Sequence, residues 1–388
     1  MLPFASSEYF IIAAIFVVFM LLSKLLLSKY LPFSGALFFA SVAYIVFYFP
    51  KPYHIALYLI YTYGIYYLFT TKIKSRNKLA GIILLLGPML FVKFHIKIHS
   101  YPYHISDFVA FGGLSYISFR IVGLFIDTEP GSKPVNFFKY LNFLLFTPTL
   151  LIGPIDRFHR FNGDVEKGYA QINSSAFALG GQSLMLGIFY KYVCAEALNQ
   201  YWLEQVNSES LHWLDMTSNM YGYYLFLFFD FAGYSAMAIG IGKMMGIEVP
   251  INFDKPFLAR NPQDFWRRFH KSLGDWLKDY FFMPLYKFFS QRNKLKPYPL
   301  LRQNMALFLT FLLMGLWNGF QLNYILSGAI FAVYSVVHNS YLHYCKKNKR
   351  DVVFGSLNEN AVRWISVFIV FHLVAFSIYI FSGRCPLI

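Results

Sequence analysis

Tyr9-Phe-Ile-Ile-Ala-Ala-Ile-Phe-Val-Val-Phe-Met-Leu-Leu-Ser-Lys-Leu-Leu-Leu27 is the stretch that decides the class of fold. A helix needs roughly 20 mostly apolar residues to cross the hydrocarbon core of a bilayer, and this one supplies them with a single lysine near its end. The run is longer than the apolar segment of a secretory signal and has no basic residues before it, so it reads as a retained first transmembrane helix. Working outward along the chain, similar apolar runs occupy 8–28, 33–50, 53–71, 79–97, 108–126, 137–154, 174–194, 217–243, 303–322, 324–344 and 361–382. About eleven spans of this length predict an all-α, polytopic transmembrane protein forming a single membrane-embedded domain over residues 1–388.

Composition points the same way. Of the 388 residues, 57% are hydrophobic and 21% aromatic but only 14% are charged, too few to cover a soluble surface of this size. Disorder, a disulfide scaffold and an ordinary cytosolic enzyme are thereby excluded. Cys194, Cys345 and Cys385 are widely spaced and form no metal-ligand or redox pair. The net charge of +15 arises from 34 Lys and Arg against 19 Asp and Glu, mostly placed between apolar runs. There the positive-inside bias and anionic lipid headgroups account for it, without nucleic acid. Lys72-Ile-Lys-Ser-Arg-Asn-Lys78 and Lys346-Lys-Asn-Lys-Arg-Asp351 are expected to face the cytoplasm, with Lys24 and Lys29 inside and the N-terminus outside.

Residues 246–302 break the spanning pattern with many charges, aromatics and six prolines: Pro250, Pro256, Pro262, Pro284, Pro297 and Pro299. Within this segment Phe265 to Phe289 keeps a helical rhythm. Trp266, Phe269, Leu273, Trp276 or Leu277 and Tyr280 fall on one side, and Arg267, Lys271 and Lys278 on another. A basic helix with an aromatic face fits a re-entrant or interfacial element better than a solvated loop helix. Gly242-Lys-Met-Met-Gly246 has the small-xxx-small spacing that favours close helix approach.

Few groups carry obvious chemistry. His95 and His99 have i, i+4 spacing but sit beside Lys93 and Lys97 at the end of an apolar run, so an interfacial role is favoured over zinc. His338 and His343 are read in the same way. His372 interrupts the last span and is expected to bond a neighbouring helix. Asp230 lies deep in an apolar run and must be paired, protonated or wetted. His270, flanked by Trp266 and Leu273, is either a packed interfacial histidine or a neutral imidazole able to take a proton from an attacking hydroxyl. There is no phosphate loop, Gly-x-Ser-x-Gly elbow or Cys-x-x-Cys pair, which argues against an ATP-driven pump and a common serine hydrolase.

Four ordered blocks carry a resemblance: Phe229-Asp-Phe-Ala-Gly-Tyr-Ser-Ala-Met-Ala-Ile-Gly240, Asn252-Phe-Asp-Lys-Pro-Phe257, Asp264-Phe-Trp-Arg-Arg-Phe-His-Lys-Ser-Leu273 and Trp276-Leu-Lys-Asp-Tyr280. Together they resemble the membrane-bound O-acyltransferase (MBOAT) family. Gly153-Pro-Ile-Asp-Arg-Phe-His-Arg-Phe161 and the closing Phe381-Ser-Gly383 resemble its D-alanylation branch rather than the alginate acetylases. The likeness covers most of the chain, most securely 140–345. It implies tilted helices around a central funnel in the bacterial cytoplasmic membrane, with no tightly bound cofactor and no metal. A carrier protein would present a D-alanyl thioester on its phosphopantetheine arm, and an extracytoplasmic acyltransferase partner would take the acyl group onward.

By the same resemblance His270 is the first family histidine. The second belongs to a Gly-x-Trp-His-Gly block, which here reads Gly315-Leu-Trp-Asn-Gly319, with Asn318 where histidine is expected. An amide cannot serve as a general base near neutral pH. Three readings stay open: an introduced disabling substitution, a degenerate member acting as scaffold or transporter, or a rearranged site in which His270 moves the proton and Asn318 holds the thioester carbonyl or the acceptor. The candidate site is then His270 and Asn318, with Trp266 and Trp317 as walls and Asp230 as a supporting group. Arg267, Arg268, Lys271 and Lys278 would meet an acidic carrier, its phosphate, or membrane lipid headgroups. A small-solute transporter using Asp230 and His372 is the weakest alternative.

Overall fold

The computed structural model describes residues 7–49, 51–73, 78–98, 113–349 and 358–387. Among the described residues all regular structure is helical, apart from one isolated antiparallel bridge between Phe253 and Phe269. Lys74 to Asn77, Arg350 and Asp351 of the two basic runs lie outside the described residues. So do His99, the side chain of His95 and residues 108–112 of one expected span. The chain forms two compact units, Met1–Lys191 with Asp230–Ile251, and Tyr192–Phe229 with Asn252–Ile388.

In the first unit the helices are α1 (Ser7–Leu22), α2 (Phe33–Tyr48), α3 (Pro52–Thr71), α4 (Lys78–Ile98), α5 (Leu114–Asp127), α6 (Phe137–Leu145), α7 (Phe158–Lys167) and α8 (Ser174–Ile188). Pro52 opens α3 at a position where the missing N–H has no intrahelical partner to lose. The expected span 137–154 is not one helix. It stops at Leu145, where Phe146 leaves the helix at ψ 102°, and continues as a tight 3-10 turn over Thr147–Thr149 whose Pro148 has no N–H to donate. After Ile188 the helix widens into π turns over Phe189–Ala195 and again over Asn199–Leu203.

Helix α9 (Trp213–Met244) is long enough to pass from the second unit into the first, with the boundary after Phe229. Its first-unit half packs on α8 along a seam of glycines. A Cβ on Gly180 would lie 2.7 Å from the Gly240 carbonyl oxygen, and one on Gly187 2.6 Å from Met237 N. A Cβ on Gly233 would lie 2.7 Å from Lys191 N, and one on Gly240 2.7 Å from Leu184 N. Seven residues separate the glycines on each helix, two turns, so both fall on one face and the backbones touch. The expected packing pair Gly242 and Gly246 does something else. Gly246, at φ +84°, terminates α9: its N–H bonds Lys243 O at 3.0 Å and the Ile247 N–H bonds Gly242 O at 2.9 Å, the two bonds of a left-handed helix cap.

The second unit contains α10 (Pro262–Arg268), α11 (Lys271–Leu277), α12 (Met283–Ser290), α13 (Pro299–Asn318), α14 (Leu322–Lys347) and α15 (Glu359–Ser382). Among the described residues four helices, α9, α13, α14 and α15, are long and apolar enough to cross a membrane, while Ile11–Leu27 and Phe33–Tyr48 are shorter apolar helices. Helices α13 and α14 form a hairpin closed on Gly315 and Gly328. A Cβ on Gly315 would overlap the Tyr324 carbonyl and sit 3.2 Å from Gly328 Cα. The chain end is tied down by Arg384, whose Nε donates to Asn219 Oδ1 and whose Nη2 donates to Leu203 O, each at 3.0 Å.

Candidate functional site

The helical rhythm of Phe265 to Phe289 is not carried by one helix. It breaks at His270, which adopts φ 51°, ψ 47°, and the run divides into α10, α11, a π turn over Lys278–Phe282 and α12. A left-handed conformation costs a non-glycine residue roughly 1–2 kcal/mol, so the surroundings must hold it. They do so through Asn252, which is fully buried. Its carbonyl accepts from Lys271 N–H at 2.9 Å, and its Oδ1 accepts from Ser272 Oγ at 2.6 Å and Ser272 N–H at 3.3 Å. On the other side of the turn Asp254 N–H donates to Arg268 O at 2.9 Å. The His270 carbonyl starts α11 by accepting from Leu273 and Gly274 N–H. Gly274 is required here, since a Cβ would stand 2.9 Å from the Trp266 carbonyl. Thus the Asn252–Phe257 block and the Asp264–Leu273 block form one clamped corner with the imidazole at its apex.

The expected aromatic side survives the break. Phe269, Leu273, Trp276 and Leu277 are buried, Trp266 and Tyr280 half-buried, while Arg267 and Lys278 are exposed. Trp266 packs edge-on to Phe331 of α14 at 4.9 Å and tilted against Phe311 of α13 at 5.9 Å. The ring of Phe265 lies parallel to that of Phe331 at 6.0 Å. Arg268 is held inside the corner, its Nε donating to Asp264 Oδ1 at 3.0 Å and its Nη1 to Asp254 O at 3.3 Å. Lys271 is half-buried. His270 is 9% exposed, and burial pushes its imidazole down to about 3. It is therefore neutral at ordinary pH, the form able to accept a proton, although so low a value also makes it a feeble base.

Asn318 closes α13, seven residues or two turns beyond Phe311. Its side chain is exposed, and Nδ2 donates to the Met314 carbonyl at 2.9 Å. Trp317 beside it is half-buried. Gly319 admits the Tyr324 ring, which a Cβ would approach to 2.7 Å, so both glycines of the Gly315–Gly319 block are explained by the hairpin. His270 and Asn318 therefore belong to the same unit, on elements joined through the Trp266–Phe311–Phe331 aromatic cluster.

Asp230 lies in the first unit. It is paired: Lys191 Nζ bonds its Oδ1, with side-chain exposures of 0% and 2%. Lys191 is a partner the linear sequence did not disclose, since it comes from the π turn after α8 and reaches Asp230 across the glycine seam. The Gly153–Phe161 block supplies a second buried network. Asp156 accepts from Arg157 N–H at 2.7 Å and pairs with Arg160, which also bonds Asp164 at 3.1 Å; Asp164 in turn takes Lys167 and the Glu248 N–H, each at 3.0 Å. Burial raises the Asp156 carboxyl despite these partners. Fully buried Arg120 donates to Phe143 O at 3.2 Å and to Thr149 O at 2.7 Å, satisfying carbonyls freed where α6 breaks. His372 bonds its own helix rather than a neighbour, with Nδ1 donating to Phe368 O at 2.7 Å, while Tyr221 meets its ring edge-on at 5.5 Å.

Residues 127–381 match the model of the membrane-bound O-acyltransferase family. The chain is 36% identical over 296 residues to the teichoic acid D-alanyltransferase of Bacillus subtilis, covering 74% of this chain and 72% of that protein. It is 35% identical over 311 residues to the teichoic acid D-alanyltransferase of Streptococcus thermophilus, covering 76% and 73%. The protein of the same name from Lacticaseibacillus rhamnosus is 32% identical over 335 residues, covering 82% and 80%.

Proposed function

The chain belongs to the membrane-bound O-acyltransferase family, a family of multi-pass membrane proteins, and we propose that it passes a D-alanyl group across the membrane to a hydroxyl of a cell-envelope polymer or of a partner protein. The donor is a thioester on the phosphopantetheine arm of a carrier protein, and an extracytoplasmic acyltransferase partner completes the relay. A thioester is already activated, so the chain itself needs no nucleotide. What remains is positioning, a base for the acceptor hydroxyl, and a polar group for the oxyanion that forms as the carbonyl is attacked. His270 is the base, Asn318 the amide that binds the carbonyl or the acceptor, and Trp266 and Trp317 the walls. Arg267 and Lys278, both exposed, with Lys271 beside them, receive the acidic carrier or its phosphate.

The observation that carries this reading is the clamped left-handed corner at His270. A histidine fixed at a backbone cost on a clamped corner, and neutral at ordinary pH, is in the form that accepts a proton. The test is transfer from D-alanyl-loaded carrier in proteoliposomes containing the full chain. His270→Ala should lower the rate on the order of 10²–10⁴-fold; undiminished turnover removes His270 from the mechanism.

A second reading, a catalytically disabled scaffold of the same complex, is favoured by Asn318, whose amide nitrogen has no basic lone pair to take a proton and is engaged with Met314 O. Asn318→His separates the two. A large gain in transfer with unchanged carrier binding marks the chain as disabled, and no gain with a functioning parent supports the rearranged site.

A further inference from the structure

Arg267 and Arg268 are adjacent in sequence but meet different surroundings. Arg267 is exposed, as a residue that receives an acidic carrier must be. Arg268 is turned into the corner that carries His270, where its side chain and its main chain both bond Asp254. Its Nη1 donates to Asp254 O at 3.3 Å, and its carbonyl accepts from Asp254 N–H at 2.9 Å. Its Nε donates to Asp264 Oδ1 at 3.0 Å, while Asp264 Oδ2 accepts from Arg260 N–H at 3.1 Å. One guanidinium thus ties the strap 252–254 to α10 and, through the Asp264 carboxylate, to the chain just before that helix.

The same strap grips the other flank of the histidine. Asn252 O accepts from Lys271 N–H at 2.9 Å, and Asn252 Oδ1 accepts from Ser272 Oγ at 2.6 Å. Between the two grips Phe253 and Phe269 form the isolated bridge, their rings edge-on at 5.0 Å. His270, in its left-handed conformation, lies two residues after Arg268 and two before Ser272. A base must stand within hydrogen-bond reach of the proton it takes, and a misplacement of about 1 Å costs on the order of 10²-fold in rate. The Arg268 guanidinium acts here as a rigid fork, with Nε and Nη1 on two different acceptors. A lysine ammonium on its flexible stem does not reproduce that geometry.

We infer, on the reading of His270 as the base, that Arg268 and Ser272 are positioning residues that fix the imidazole, and that Arg268 serves the base rather than the carrier. The test uses the full chain in proteoliposomes with D-alanyl-loaded carrier. Both kcat and the KM for carrier are taken per folded chain, counted by monodisperse elution and tryptophan fluorescence. Arg268→Lys keeps the charge and loses the fork, and Ser272→Ala loses one hydroxyl on the opposite flank. Each should lower kcat about 10–100-fold, with KM within about twofold of the parent. An Arg268→Lys chain with the parent's kcat, or an Arg268→Gln chain whose loss lies in KM, overturns the inference and returns Arg268 to the carrier. A loss that vanishes when rates are taken per folded chain overturns it as well, since only folding has then suffered. The parent's kcat in Ser272→Ala overturns the part given to Ser272. His270→Ala tells this failure from that of the reading beneath it. Undiminished turnover in that variant removes the base itself, whereas a slow His270→Ala chain beside a fast Arg268→Lys chain removes only the positioning.

Discussion

Replacing Lys191 with methionine tests the most deeply buried charge pair among the described residues of the first unit. Lys191 and Asp230 have side-chain exposures of 0% and 2%, so neither charge is relieved by solvent in the folded chain. Lys191→Met keeps the length of the side chain but leaves the Asp230 carboxylate alone in an apolar interior. Breaking a buried pair in this way costs about 3–5 kcal/mol, a large share of the roughly 5–15 kcal/mol that holds a typical protein together. Removing both charges, as Lys191→Met with Asp230→Leu, leaves nothing uncompensated and should return stability close to that of the parent. Thermal unfolding in one detergent, followed by tryptophan fluorescence, closes the double-mutant cycle. With single losses of about 3–5 kcal/mol and a double variant near the parent, the coupling should exceed the roughly 0.5–3 kcal/mol found for most contacting residues. A Lys191→Met chain as stable as the parent, or a double variant in which the two losses simply add, would refute the pairing and the reasoning built on its burial.

Gly315→Ala should destabilise the α13–α14 hairpin by about 1–3 kcal/mol through overpacking against Tyr324 O. Gly64→Ala, on an exposed part of α3 with nothing within 4 Å of the new Cβ, should be neutral or gain about 0.5–1 kcal/mol by the same melting assay. Asn252→Ala removes the Oδ1 that accepts from Ser272 and should cost about 1–3 kcal/mol, whereas an unaltered melting profile would show that the corner holds itself. The pH dependence follows from His270, whose folded value of about 3 lies below its ordinary 6.5. Because the unfolded chain takes the proton first, this stabilisation is complete above 6.5 and declines as pH falls from 6.5 towards 3, by about 1.4 kcal/mol per pH unit. His270→Gln should flatten that limb of the stability curve.

The sequence made some of this legible and hid the rest for identifiable reasons. Spans 303–322, 324–344 and 361–382 reappear as α13, α14 and α15 with shifts of a few residues, because long apolar runs bounded by charge leave little choice of conformation. The helical rhythm across 265–289 identified the buried aromatic side but concealed the break, since neither glycine nor proline marks positions 269–271. Asn252 and Asp254, from a separate block, supply bonds that hold a left-handed histidine there. Lys191 looked like one more basic residue at the end of a span, and its partner lies 39 positions away. The glycines at 180, 187, 233 and 240 meet only across two helices, whereas the pair at 242 and 246 stands close in sequence. Local spacing alone cannot tell a packing seam from a cap.

The seam between α8 and α9 has a mechanical corollary. Gly180 with Gly240 and Gly187 with Gly233 mesh as two combs of equal pitch, so sliding α9 by a residue would set a side chain against backbone at both points of engagement. One setting is thus open, and the charges at the end of the comb inherit their alignment from it instead of creating it. A single residue inserted between Gly187 and Lys191 would leave the teeth engaged while swinging Lys191 about 100° around the helix axis. The ion pair would be lost with every original side chain still present.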